Sequence, residues 1–299
     1  MTNPHARRSI PFAIALMAVL AACSPNGSGS PGPSGSPGAS PGPSSEPSGS
    51  PVGIEHQTGA KDVVLQFEEG GGFVPMGWLA GQAPTFTLYG DGTVIFRDWS
   101  QQQPPAIGSA QPQLPFQTIK LTEDEIQQLL EYVIGPGALG IARATYDTAT
   151  CADCPTAVFT INAGGSSKTV SVTGLGFDNP QSPDALILKQ LADAGTRLRE
   201  FKAANAAIWQ PDRFRGILST DAFGDPRDWP WADLKPADWK EITTPNGFTW
   251  NARTMSAAEI DALGMENLQG GIINIVLNGP GDGKLYSFTL RPLLPHEAE

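Results

Sequence analysis

Thr85-Phe86-Thr87-Leu88-Tyr89-Gly90-Asp91-Gly92-Thr93-Val94-Ile95-Phe96 decides the reading of this chain. Apolar and polar side chains alternate on both sides of a Gly-Asp-Gly turn, the period of a half-buried strand. Phe86 and Leu88 fall on one face, where Val94 and Phe96 can meet them. The turn supplies the positive φ angles of a tight connection. Asp91 is a turn residue, since no neighbouring carboxylates make a calcium loop around it.

The same grammar recurs outward. Val63 to Phe67 reads as a strand. A second hairpin runs from Ala157 to Val172 around Gly164-Gly165, and a third from Ile272 to Leu290 around Gly279 to Gly283. Between them lie three helix signals. Thr122 and Glu125 form a capping box with Leu121 and Ile126 as staple, and Gly135-Pro136 ends that helix. Ser182 caps a second helix with Pro183 at its first position. Its stripe is Ile187, Leu191, Ala194, Leu198 and Phe201. Ser256 and Glu259 open a third, with Met255 and Ile260 as staple. The expected fold is therefore α+β: antiparallel β-hairpins with about three packed amphipathic helices. The first and third helix starts look alike and each precedes a hairpin. They read either as two related helix-hairpin halves or as two independent, well-capped helices. Ala207 to Thr244 reads as irregular or short-stranded, and 204–245 is where a subdivision would fall.

The N-terminal part is of another kind. Arg7 and Arg8 precede an apolar run from Ile10 to Ala22. As a helix that run spans about 20 Å, short of a hydrocarbon core of about 30 Å. It suits a signal-peptide core better than a membrane span. Pro11 interrupts the run that twin-arginine export would use, so the general secretory route is expected. Leu20-Ala21-Ala22-Cys23 resembles the lipobox of bacterial lipoproteins. That resemblance implies cleavage before Cys23 and lipid, palmitate included, on its sulfur. The cell membrane is then a partner through that lipid, and the remainder faces outside the cytoplasm. Residues 24–51 comprise Gly, Pro and Ser except at Asn26, Ala39 and Glu46. Such a stretch cannot bury enough apolar surface to offset its ordering entropy. The organisation expected is 1–22 signal peptide, 23–52 lipidated cysteine and tether, and 53–299 folded domain.

The chain carries a formal net charge of −11, a sign that repels nucleic acid. Its histidines past the leader, His56 and His296, sit beside the tether and near the end of the sequence. Neither place promises the rigidity of a Ser-His-Asp triad or a histidine-rich zinc site. Cys151-Ala152-Asp153-Cys154 precedes a strand with no helix start beside it. It reads as a local disulfide between Cys151 and Cys154 and not as a redox pair. Gly135 to Gly140 matches a dinucleotide pattern in letters only, because it follows a helix. Gly279 to Lys284 lacks the first glycine and the Ser or Thr of a phosphate loop. No metal site, cofactor or catalytic residue is indicated.

Trp229, Trp231 and Trp239 are the candidate binding platform, for a glycan or an envelope protein if exposed. Burial over one side of a sheet is the default reading for rings so large. Asp221, Asp225, Asp228 and Asp233 lie nearby and could hold a glycosidase pair. The sequence favours a non-enzymatic binding or interaction module of the envelope, with a carboxylate-dependent hydrolase such as a glycosidase as the alternative.

Thr87 to Ile95 (Thr-Leu-Tyr-Gly-Asp-Gly-Thr-Val-Ile) and Arg291 to Pro295 (Arg-Pro-Leu-Leu-Pro) resemble segments of an uncharacterised group of bacterial secreted or lipid-anchored proteins. The two segments lie far apart, so the resemblance spans most of the domain. It implies no activity.

Overall fold

The structure, a computed structural model, describes residues 53–98, 109–148, 152–177, 180–220, 222–243 and 248–298. Its first sheet grows around the hairpin just quoted. β1 (Val63–Gly71), β2 (Phe86–Tyr89) and β3 (Thr93–Phe96) are joined there by β5 (Gln117–Lys120), β6 (Thr145–Asp147), β7 (Pro155–Ala163), β8 (Ser166–Thr173) and β9 (Ala207–Ile208). The short strand β4 (Gln111–Pro112) belongs to the second sheet. The eight strands of the first run in the order β6-β8-β7-β1-β2-β3-β5-β9, antiparallel except for β6 beside β8. Phe86 pairs with Phe96 and Leu88 with Val94, so all four side chains enter one core. The two turn glycines serve different ends. Gly92 takes φ 87°, the left-handed angle a side chain resists. Gly90 is needed for space, because a Cβ there would meet the Gln57 carbonyl oxygen at 2.2 Å.

One face of this sheet is covered by α2 (Glu123–Ile134) and α3 (Ala185–Arg199). The Thr122 hydroxyl accepts from Glu125 N, and the Glu125 carboxylate accepts from Thr122 N at 2.8 Å, closing the expected capping box. Leu130 and Val133 of α2 and Leu191 and Leu198 of α3 join Phe67, Leu88 and Phe159 in the main core. The second helix starts later than expected. Ser182 and Pro183 stay outside it, and Asp184 is its N-cap without a side-chain hydrogen bond. The Ser182 hydroxyl instead accepts from Asp184 N.

The second sheet has the order β11-β12-β10-β14-β13-β4. Its strands are β10 (Arg213–Ser219), β11 (Lys240–Thr243), β12 (Thr249–Ser256), β13 (Ile272–Asn278) and β14 (Leu285–Pro292), with β4 at the edge. β10 lies inside the stretch expected to be irregular or short-stranded, and it pairs along its length with both β12 and β14. Its alternating Arg213, Phe214 and Arg215 run into Gly216, which masks the strand pattern. The glycine is there for packing, since a Cβ would meet Met255 Sδ at 2.4 Å and the Phe288 ring at 2.9 Å.

The fold is mixed, with antiparallel sheets, and richer in strand than three packed helices implies. The Ser256 capping box forms, but it opens only α4 (Ala257–Asp261), a five-residue helix. An unexpected five-residue helix, α1 (Met76–Ala80), follows β1. The two helix-plus-hairpin units also join their sheets differently. β7, the first strand of its hairpin, pairs with β1, whereas β14, the second of its hairpin, pairs with β10.

The two sheets meet through three kinds of filling. Tyr89, Ile95, Phe116 and Leu294 form a small apolar cluster, which brings together the two segments of the resemblance. α1 sets Ala80 on Ile217 and Ala252 of the second sheet. Between these, Arg97 Nη2 donates to the Gly270 carbonyl at 2.7 Å, with its guanidinium 3.8 Å from the Phe116 ring centre.

Candidate functional site

Beside α1 the inter-sheet filling stops, leaving a cavity of about 440 Å³. Phe73, Met76 and Trp78 come from the segment that carries α1. Ile217 comes from β10, Trp250 from β12, Ile273 and Asn274 from β13, and Ser287 and Thr289 from β14. Among the described residues, none of those lining it is charged. Phe73 is 92 % exposed, Phe223 67 % and Met76 52 %, so lining residues also reach the surface as uncovered apolar groups. A concave, mostly apolar space of this size with a few polar groups is the usual form of a small-ligand site.

The polar wall is built by a β-bulge. Ile272 pairs with Leu290 and Ile275 with Phe288, so three steps along β13 match two along β14. The extra residue re-aims the strand. Ile272 and Ile275 both enter the core on the far side of the sheet, while Ile273 and Asn274 both line the cavity. Asn274 takes φ 68°, which asparagine tolerates better than most residues. Ser287 Oγ donates to Asn274 Oδ1 at 3.0 Å, and Thr289 Oγ1 accepts from Asn274 N at 3.5 Å. Gly77 of α1 lies against this amide, where a Cβ would sit 3.2 Å from Oδ1. No partner is recorded for Nδ2 among the described residues.

A second cavity of about 350 Å³ shares Phe73, Val74 and Trp78 with the first and adds Glu69, Gln82 and Asp153. Glu69 is committed elsewhere, since Arg199 Nε and Nη2 donate to its two oxygens at 2.6 and 2.5 Å.

The most strongly perturbed ionisable groups lie away from both cavities, around Arg291. Its Nη1 and Nη2 donate to the Glu297 carboxylate at 2.8 and 2.5 Å, and Leu294 N donates to the same carboxylate at 2.8 Å. Burial alone would raise the Glu297 pKa. The Arg291 charge and these hydrogen bonds, helped by Arg215, reverse that and hold it at about 2. Burial pushes Glu68 up, opposed by Arg291 and reinforced by Glu297. His296 is pushed down by burial and by Arg291, against Glu297. Its Nδ1 lies 2.9 Å from Tyr89 Oη and its Nε2 3.3 Å from Gln66 Nε2. This histidine was expected in a loosely held segment. It is instead packed against Tyr89, because Leu294 and Glu297 tie the chain down on either side of it. The cluster's polar atoms are spent on one another, which is the chemistry of a clamp.

The tryptophan platform needs correction. Trp231 and Trp239 are buried, at 6 % and 3 % exposure, and Trp229 is half-buried. Trp229 meets Trp231 edge to face at 5.2 Å, and Trp231 lies 5.5 Å from Trp239. Trp229 Nε1 donates to the Leu234 carbonyl and Trp231 Nε1 to that of Glu259. With Met255 and Phe288 they form the core on the outer side of the second sheet. Rings this large gain more from burial than from display. Trp250, by contrast, lines the cavity. Asp225, Asp228 and Asp233 are exposed. Asp221 lies outside the described residues, as do Cys23 and Cys151, so the expected lipidation and Cys151–Cys154 disulfide fall outside them too. Gly135 caps the C-terminus of α2, as its reading as a helix stop expects. Sequence reasoning missed the cavity. The local signal was Gly70-Gly71-Gly72-Phe73, a run of glycines that ends β1 ahead of an exposed ring.

Compared with known proteins, the chain matches no family model, no curated protein and no solved structure.

Proposed function

We propose that this chain is an exported lipoprotein, held on the cell membrane by lipid on Cys23, whose folded part binds a small apolar ligand. The observation that carries the binding reading is the cavity of about 440 Å³ beneath α1, lined by no charged side chain among the described residues. It is open enough to leave apolar side chains at the surface and walled by a fixed amide and hydroxyls. Cavities that exist only as packing defects are far smaller than this. The ligand enters a cavity and does not stack on an exposed tryptophan surface. This geometry supports binding over hydrolysis, since Asp225, Asp228 and Asp233 line neither cavity, and Glu69 and Glu297 are paired with Arg199 and Arg291.

Nile red, an uncharged apolar dye, tests the reading. The purified chain should bind it with enhanced emission. Ser219→Phe, placed on the cavity wall, should abolish that enhancement while the melting temperature stays within a few degrees. Enhancement unchanged by Ser219→Phe and by a second filling variant, Gly77→Leu, both still folded, would refute the cavity as the site.

A further inference from the structure

We infer that the ligand is an uncharged molecule with an apolar body and one acceptor oxygen, received by the Asn274 side-chain amide. This inference rests on the binding reading above and names the class of ligand. Three observations carry it. The cavity is bounded among the described residues without a single ionisable side chain. A ligand carboxylate, phosphate or ammonium group would be desolvated there without a counter-charge, which costs several kcal/mol. The volume, about 440 Å³, lies in the range of small-molecule sites and suits a small apolar body. The amide is also oriented before any ligand arrives. Ser287 Oγ holds Oδ1 at 3.0 Å, so the carbonyl end is spoken for and the Nδ2 end carries the free donor. The bulge that brings Asn274 to this wall, and the left-handed φ of 68° that goes with it, interrupt a strand that otherwise pairs regularly. An acceptor oxygen, such as an ester or ketone carbonyl, satisfies that donor without importing charge. The Ser287 hydroxyl proton and the Thr289 oxygen are engaged with Asn274 itself, which fixes this amide as the recognition point the bulge presents to the cavity.

The test compares three probes of similar size: methyl decanoate, decanoate and undecane. Binding to the purified chain at pH 8 is read from the emission of Trp78 and Trp250, both on the cavity wall. Methyl decanoate should bind at least about a hundredfold more tightly than decanoate, the cost of burying an unpaired carboxylate. Asn274→Gly keeps the left-handed backbone available and removes the amide. It should weaken the ester about tenfold, the worth of one buried hydrogen bond, and leave undecane within twofold. Ser287→Ala, which only frees the amide to rotate, should weaken the ester by less, in the same direction. Equal affinity for ester and decanoate, or an ester affinity indifferent to both substitutions, would overturn this inference while the binding reading stands. Failure of all three probes to bind would overturn the binding reading itself, and this inference with it.

Discussion

Replacing Glu297 by Gln removes one negative charge and almost no volume from the clamp around Arg291. The Arg291 side chain is only 8 % exposed and that of Glu297 16 %, so water does little to screen the pair. The carboxyl is held at about 2 against an ordinary value of 4.5. A difference of that size is worth about 3 kcal/mol at pH 7. Because the folded-state pKa is depressed, this stabilisation is complete above about pH 4.5 and fades as the pH falls towards 2. By pH 3 roughly 2 kcal/mol of it should be gone. Glu68 acts in the opposite sense, since its raised pKa favours folding as the pH falls. His296, pushed down, weakens folding as the pH drops below about 6.5. Both remain in the variant, so the comparison isolates Glu297 as far as these neighbours allow. Urea denaturation of wild type and Glu297→Gln at pH 7 and pH 3 is the assay. The variant should be about 3 kcal/mol less stable at pH 7, with the gap narrowing to about 1 kcal/mol at pH 3. A gap under 0.5 kcal/mol at pH 7, or one that does not narrow with acid, would refute the clamp.

Trp231→Ala and Trp239→Ala should each cost about 3–5 kcal/mol of stability, and single-tryptophan variants retaining either ring should emit blue-shifted, iodide-protected fluorescence. Red-shifted, readily quenched emission would return these rings to the surface. Cys23→Ser should leave the exported protein without acyl mass, and mass spectrometry showing acylation of the variant would sink the lipid assignment. Replacing Cys151 and Cys154 together by Ser should lower stability by only about 2 kcal/mol, because a loop so short gains little from closure. Native thiol labelling of both cysteines in the wild type would exclude the disulfide.

What the sequence made legible was local. The Gly-Asp-Gly hairpin, the later hairpins and the Thr122 capping box rest on neighbours within a few residues, and each formed where read. The signals that misled were local rules decided by distant contacts. The Ser256 box is chemically complete, yet α4 stops at Asp261, ahead of Gly264 at a left-handed φ of 61°, and Leu263 and Met265 reach the outer core of the second sheet from beyond the helix. Gly216 interrupts the side-chain alternation of β10, where it makes room for Met255 and Phe288, side chains from two other strands. His296 looks loose until Tyr89, some two hundred residues earlier, is seen beside it. The cavity was illegible for the same reason. Its walls come from five separated segments, and the bulge that turns Asn274 inward exists only as a mismatch between β13 and β14. No periodicity in one strand can announce that.

The central claim is that the cavity beneath α1 takes an apolar ligand, and a brominated probe tests it most directly. Bromine quenches indole emission only at close range, and two pairs of tryptophans lie on opposite faces of the second sheet. Trp78 and Trp250 line the cavity, while Trp231 and Trp239 lie in the outer core. Titration with a bromine-bearing analogue of methyl decanoate should quench part of the emission saturably. That saturable quenching should vanish in Trp78→Phe/Trp250→Phe and persist in Trp231→Phe and in Trp239→Phe. Quenching that survives loss of Trp78 and Trp250, or that never saturates, would contradict the account.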